Sequence, residues 1–389
     1  MKKIKEYAEI LKSPKKIKEI VKNEFKDLKE KFGDQRRTKV VSQQIGEIAE
    51  EDLIPQEETV VTLTQGGYIK RINPSEYKIQ KRGGKGIVGM KTLQDDIVEH
   101  FLMCQTHDSL LFFTDSGKVF RTFAYEIPEG TRVARGRGLL NFLELSNGEK
   151  ILSILAIGKE DVDKGVKDLI MLTQNGIIKR TSLEEFKNVR RSGLIAINLK
   201  KDDSLKKVVK STGGSEVIIT TRKGQSIKFK EKDIREMGRS ASGVRAINLK
   251  KNDKVVGMDV VETSAFAKAS ADKQNSNSKQ VSSSKLQVSS QYLLVVSENG
   301  YGKRTDVKEY RLQGRGGSGI KTAKTTPKTG DLISTRLLTG EEEDLIVISQ
   351  KGHVIRTEIK SIAKMSRATQ GVRIMRLDEG DKVASATCL

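Results

Sequence analysis

Two periods of apolar residues divide the chain. Over residues 1–32, Ile4, Tyr7, Leu11, Ile17, Val21, Phe25, Leu28 and Phe32 recur at spacings of three and four among Lys and Glu. That heptad-like stripe predicts an amphipathic helix. Ser13-Pro14 breaks it into two pieces, with an N-cap residue followed by proline at the first helical position. Gly33 is a natural place for the second piece to stop. Such a helix cannot bury its own stripe, so the pattern calls for a partner helix. Packing on the rest of the chain is the other reading.

Residues 40–58 are a polar, acidic connector with one strand-like piece, Asp52–Ile54. From Thr59 the pattern changes to short β-branched runs. Each run ends in Thr or Ser, followed three residues later by Gly and then by a basic residue or pair. The copies are Val60–Thr64 with Gly67, Leu110–Thr114 with Gly117, Leu169–Thr173 with Gly176, Val217–Thr221 with Gly224, Leu293–Ser297 with Gly300, and Leu345–Ser349 with Gly352. Each reads as a β-hairpin whose turn ends on glycine.

Each copy carries a second half, an Arg- and Gly-rich turn followed by aliphatic residues. These are Arg82–Val88, Arg135–Leu139, Arg191–Leu194, Arg239–Val244, Arg315–Ile320 and Arg367–Val372. A further β-branched segment precedes the next hairpin, as at Asp96–Val98, Asp253–Val256, Gly330–Ile333 and Gly380–Val383. Four short strands in roughly 50 residues is the length of a propeller-type blade. The predicted fold is all-β: a six-bladed, propeller-like array over residues 59–389. One glycine spacing, from 224 to 300, is long. Residues 263–290 account for it, being rich in Ser, Lys, Gln and Asn and poor in large apolar residues. They read as a disordered insertion. The last segment, 380–389, resembles a strand with no hairpin after it, and we expect it to close the ring on the first blade.

Charge then narrows the function. The 389 residues carry a formal net charge of +21, with 72 Lys and Arg against 51 Asp and Glu. A field of that size points to a polyanion. No apolar run approaches a membrane span, so nucleic acid is favoured over membrane. Three histidines and two cysteines, Cys104 and Cys388, form no metal or nucleophile pattern, so no catalytic or metal residue is assigned. The composition reads as cytoplasmic.

The basic residues recur at equivalent places: Lys70 and Arg71, Arg121, Lys179 and Arg180, Lys228, Lys303 and Arg304, and Arg356. Equivalent positions in a circular array share one radius, so they predict a basic rim. The Arg/Gly turns add Arg135, Arg137, Arg190, Arg191, Arg239, Arg315 and Arg367. Aromatics make up 5% of the chain and Trp is absent, which favours duplex backbone over stacked single strands. Binding through phosphates is steeply salt-dependent and weakly sequence-selective.

The densest run is Gln80-Lys81-Arg82-Gly83-Gly84-Lys85-Gly86. Its glycines free the backbone and its cations suit phosphate. Two readings are open from these residues alone: a phosphate-gripping loop, or a tight basic surface turn. The run resembles the box motif of the C-terminal domain of the bacterial DNA gyrase A proteins, usually QRRGGKG, with Lys81 where the family usually has Arg. Phe32–Thr38 likewise resembles the end of that family's long coiled coil.

The resemblance implies a helical coiled-coil remnant at 1–39, a linker at 40–58 and a DNA-wrapping β-pinwheel at 59–389. It implies double-stranded DNA as partner, together with a gyrase breakage-reunion core and the gyrase B protein. ATP and Mg are expected on those partners, with no cofactor on this chain. The family's cleavage tyrosine lies upstream of the coiled coil, so the chain is expected to be non-catalytic by itself and to sit with the nucleoid. The corresponding topoisomerase IV protein and a protein-binding propeller scaffold are the alternatives.

Overall fold

The computed structural model describes residues 2–33, 54–74, 98–131, 134–190, 192–261, 291–340, 342–351 and 353–388. The box at 80–86, Arg191 and the insertion at 263–290 lie outside the described residues, as do Asp52 and Leu53 of the strand-like piece. Contacts divide the chain into Met1–Leu53 and Ile54–Leu389. In the first unit, helix α1 (Lys2–Lys12) and helix α2 (Pro14–Phe32) meet at Ser13, the N-cap of α2. Gly33 closes α2 through its N–H to Lys29 O at φ −73°, so the stop does not use a left-handed residue. The stripe is exposed: Ile4, Leu11, Phe25 and Phe32 all face solvent.

The second unit is built from repeats. The first contributes β1 (Glu58–Thr64), β2 (Tyr68–Ile72) and β3 (Val98–Gln105). The second contributes β4 (Ser109–Thr114), β5 (Lys118–Phe123), β6 (Arg137–Gly138) and β7 (Ile151–Ile157). The third contributes β8 (Asp168–Thr173), β9 (Ile177–Ser182), β10 (Leu194–Ile195) and β11 (Leu205–Ser211). A five-residue helix, α3 (Lys159–Asp163), precedes β8. The fourth contributes β12 (Glu216–Thr221), β13 (Gln225–Lys230), β14 (Val244–Arg245) and β15 (Val255–Val261). The fifth contributes β16 (Tyr292–Ser297), β17 (Tyr301–Asp306), β18 (Ile320–Lys321) and β19 (Leu332–Leu338). The sixth contributes β20 (Asp344–Ser349), β21 (Val354–Glu358), β22 (Val372–Arg373) and β23 (Val383–Cys388).

The repeats do not map one-to-one onto sheets. Sheet 1 has the order β3-β1-β2-β6, and β6 comes from the second repeat. The same exchange gives β7-β4-β5-β10, β11-β8-β9-β14, β15-β12-β13-β18 and β19-β16-β17-β22. Each of the first five hairpins thus receives its fourth strand from the Arg/Gly turn of the next repeat. Sheet 6 has the order β23-β20-β21 among the described residues. Its β21 is half-buried along most of its length, whereas β9, β13 and β17 are largely buried under their donated strands.

This exchange corrects the expected closure. The last segment does not pair with the first blade: β23 lies antiparallel to β20, with Thr387 opposite Ile346. The strand after each Arg/Gly turn returns to its own hairpin, and it is the turn segment that crosses to a neighbour.

The core lies between sheets. Val61, Leu63 and Ile69 of sheet 1 meet Leu110, Phe112 and Phe120 of sheet 2. The opposite face of sheet 2, with Leu111, Phe113 and Val119, meets Leu169 and Met171 of sheet 3. A first hairpin strand buried on both faces reads as an unbroken apolar run, hence Leu110–Phe113 and Leu169–Leu172. The recurring Thr or Ser closes the turn. Thr64 Oγ1 accepts from Tyr68 N at 3.0 Å, Thr173 Oγ1 from Ile177 N at 3.1 Å, and Ser349 Oγ from His353 N at 3.2 Å. The turn glycines, such as Gly176 at φ +80°, supply the left-handed residue. Strands β3, β7, β11, β15, β19 and β23 contact one another in that order. They form the inner lining, which leaves the donated strands on the outside.

Candidate nucleic-acid interface

The structure moves the basic pairs indoors. Lys70, Lys179, Lys228, Lys303 and Arg304 are buried. Lys228 pairs with Glu216 at 3.0 Å. Arg304 donates to Ile362 O and Lys360 O, both at 2.9 Å. Arg180 lies 3.5 Å from Asp168 and 3.9 Å from Glu231. Arg71 faces Glu129 at 3.4 Å, Arg121 donates to Ser109 Oγ and Lys187 O at 2.6 Å, and Arg356 donates to Asp344 at 2.7 Å. The exposed rim expected at these positions is corrected for the buried five. They sit on the second hairpin strand, which looked like a sheet edge until the segment sent over by the next repeat covered it.

Burial has an electrostatic cost, and the pKa directions record it. Burial pushes Lys179 and Lys303 down to about 8 and lowers Arg304 below its usual value. Each is held by carbonyl oxygens, which take the place of water.

The Arg/Gly turns stay nearer the surface. Arg135, Arg137 and Arg190 are exposed. Arg239, Arg315 and Arg367 are half-buried. Arg239 faces Glu185 at 3.3 Å, Arg315 donates to Arg245 O at 2.6 Å, and Arg367 donates to Lys321 O at 3.2 Å. The box has a sequence counterpart here: Arg82-Gly83-Gly84-Lys85-Gly86-Ile87 matches Arg315-Gly316-Gly317-Ser318-Gly319-Ile320 in residue order.

A second set of cations emerges from the strand registers. Where a donated strand meets its hairpin, one register position lies just after the turn glycine. The pairs are Tyr68 with Gly138, Lys118 with Ile195, Ile177 with Arg245, Gln225 with Lys321, and Tyr301 with Arg373. Four pairs hold one cation. In the other, Arg135 stacks on Tyr68 with its guanidinium 3.9 Å from the ring centre. Sheets 1 to 5 therefore each place one cation on the same spot of the outer edge: Arg135, Lys118, Arg245, Lys321 and Arg373.

This belt is mostly open. Arg135, Arg245, Lys321 and Arg373 are exposed, and Lys118 is shared with Glu149 at 3.6 Å. Arg373 lies over Tyr301 and donates to its hydroxyl at 3.1 Å, which holds that phenol below its usual pKa. Lys200, Lys201, Lys250, Lys251, Lys324 and Arg376 add exposed charge just after the donated strands. Sequence reading missed Lys118, Arg245, Lys321 and Arg373. The available signal was their place one residue after a turn glycine, or two after the glycine that ends an Arg/Gly turn.

The family described as DNA gyrase C-terminal domain, beta-propeller, matches six segments of the chain. They are residues 58–105, 108–157, 167–211, 215–262, 291–338 and 343–389. The DNA gyrase A protein of Staphylococcus epidermidis is 40% identical over 382 residues, covering 98% of this chain and 40% of that protein. The DNA gyrase A protein of Staphylococcus aureus is 37% identical over the same shares. The chain therefore spans about 40% of the length of the curated relatives it matches. A solved structure of a DNA gyrase A C-terminal domain superposes with a TM-score of 0.68 at 26% identity, covering 85% of this chain and 99% of that one. The C-terminal domain of DNA topoisomerase IV shares the fold, with a TM-score of 0.63 at 22% identity over 86% of this chain and 94% of that one. With six matched segments, six hairpin-based sheets and the strand register that joins them, the chain belongs to the DNA gyrase C-terminal domain β-propeller family.

Proposed function

We propose that this chain binds double-stranded DNA along the outer belt and wraps it. The observation that carries the reading is the single cation at one register position in each of sheets 2 to 5, with Arg135 stacked over the same position in sheet 1. Repetition at one radius suits a polymer of evenly spaced phosphates bent around the array. The two belt tyrosines, Tyr68 and Tyr301, each lie under an arginine, so contact is to the backbone rather than to unstacked bases.

Joined to a breakage-reunion core and a gyrase B protein that hydrolyses ATP with Mg, the wrap would feed negative supercoiling in a gyrase-type topoisomerase. The gyrase A relatives support that assembly. The box, Gln80–Gly86, is the natural anchor for one end of the wrap. It adds Lys81, Arg82 and Lys85 to the cations available for phosphate.

The test is a titration of an end-labelled duplex of roughly 150 base pairs, a length set by the DNA persistence length, across a range of salt. Steeply salt-dependent binding with a rise in end-to-end FRET is the expected result. A shallow salt slope with no FRET change would overturn the reading and favour a protein-binding scaffold.

A further inference from the structure

Three buried lysines hold the incoming Arg/Gly turn through its carbonyls in alternate sheets. Lys70, Lys179 and Lys303 each stand third after a turn glycine, in sheets 1, 3 and 5. Lys179 Nζ donates to Ala196 O at 2.6 Å, to Ala241 O at 3.3 Å and to Arg239 O. Lys303 Nζ donates to Ser366 O at 2.6 Å, to Thr369 Oγ1 at 3.0 Å and to Arg367 O. Lys70 Nζ donates to Ala134 O at 2.8 Å and Thr131 O at 3.1 Å. An ammonium has three N–H groups and no acceptor, so a cage of oxygens satisfies it fully.

Nearly all of these acceptors belong to the Arg/Gly turn sent over by the next repeat. Those turns hold Arg135, Arg239 and Arg367 and lead into the donated strands carrying Arg137, Arg245 and Arg373. Sheets 2, 4 and 6 have Phe120, Ile227 and Ile355 at the same position. In sheets 2 and 4 the incoming turn rests on an apolar seat: a Cβ added to Gly193 would meet the Phe120 ring at 2.6 Å, and one added to Gly317 would meet Ile227 at 3.7 Å.

We propose that Lys70, Lys179 and Lys303 are positioning residues that set the outer cations of sheets 1, 3 and 5 against the DNA. The inference rests on the DNA-wrapping reading and adds an alternation to it. Odd sheets present cations on turns locked by an inner ammonium. In sheet 4 Lys321 follows a turn seated on Ile227, and in sheet 2 the turn seats on Phe120 while Lys118 stands on the hairpin strand itself. The lysines touch no phosphate themselves, which separates them from the belt.

Lys179→Met with Lys303→Met removes both inner charges and leaves the turn carbonyls they held without their donor. In the salt titration the slope of log K against log salt should stay within ~0.5 of the parent, because no phosphate contact is lost. End-to-end FRET of the bound duplex should fall toward that of straight DNA. Circular dichroism confirms folding. If the double variant unfolds, Lys70→Met alone carries the same test in sheet 1. Ile227→Met, in an even sheet, should leave the bend unchanged. A slope lower by ~0.9 for each lysine would make them phosphate contacts and overturn the proposal. An unchanged bend at an unchanged slope would overturn it too, leaving the lysines a role in folding only. A parent chain that neither binds steeply nor bends DNA would instead sink the wrapping reading on which the proposal rests.

Discussion

Lys179 and Arg245 are cations of one sheet with opposite surroundings. Lys179 is fully buried and donates to Ala196 O of its own repeat and to Arg239 O and Ala241 O of the next. Arg245 lies on a two-residue outer strand, opposite Ile177, and is exposed. Both belong to sets that recur around the array. Recurrence of a charge therefore does not by itself mark a binding surface. A charge repeated on a covered strand holds the fold together, and a charge repeated on an edge strand is free to meet a partner.

The sharpest way to break that distinction is from the inside. Arg180 faces Asp168 and Glu231, and Glu231 is fully buried. Burial already raises the pKa of Asp168, with Arg180 opposing it. Arg180→Met leaves two carboxylates without their cation, which costs about 3–5 kcal/mol. Urea denaturation should show that loss, while the salt slope of DNA binding by the folded fraction stays at the parental value. A lowered slope with unchanged stability would place Arg180 with the belt.

A smaller effect tests the inner lining. Burial holds His100 down to about 4, with Ile151 O as its ring partner at 3.3 Å. The unfolded chain takes up this proton near pH 6.5 and the folded chain only near 4. The stability contributed by a neutral His100 is therefore complete above pH 6.5 and lost as the pH falls toward 4. Thermal melts should drop by a few degrees across that window, and His100→Leu should flatten the drop. Equal acid sensitivity in the variant would put the titrating group elsewhere.

The hairpins were legible because each carries its own closure. Thr173 accepts from Ile177 N, Gly176 turns the chain, and the apolar run before them is doubly buried. The helices were legible from Ile4 to Phe32 for the same local reason. The strand exchange was not. A donated strand such as Val244–Arg245 is two residues long, too short to show a period, and its partner lies in the preceding repeat. Without that exchange, Lys70, Lys179 and Lys303 looked like edge residues. The belt at Lys118, Arg245, Lys321 and Arg373 had no common motif, because its cation switches strand between sheets 2 and 3.

The central claim is that the outer belt, not the inner basic pairs, meets the phosphates. It is tested most directly by the triple variant Arg245→Gln, Lys321→Gln and Arg373→Gln, titrated with duplex DNA across salt. Three lost phosphate contacts should lower the slope of log K against log salt by ~2.7, with the melting temperature unchanged. A slope equal to that of the parent would show that DNA does not touch the belt, and the claim would fail.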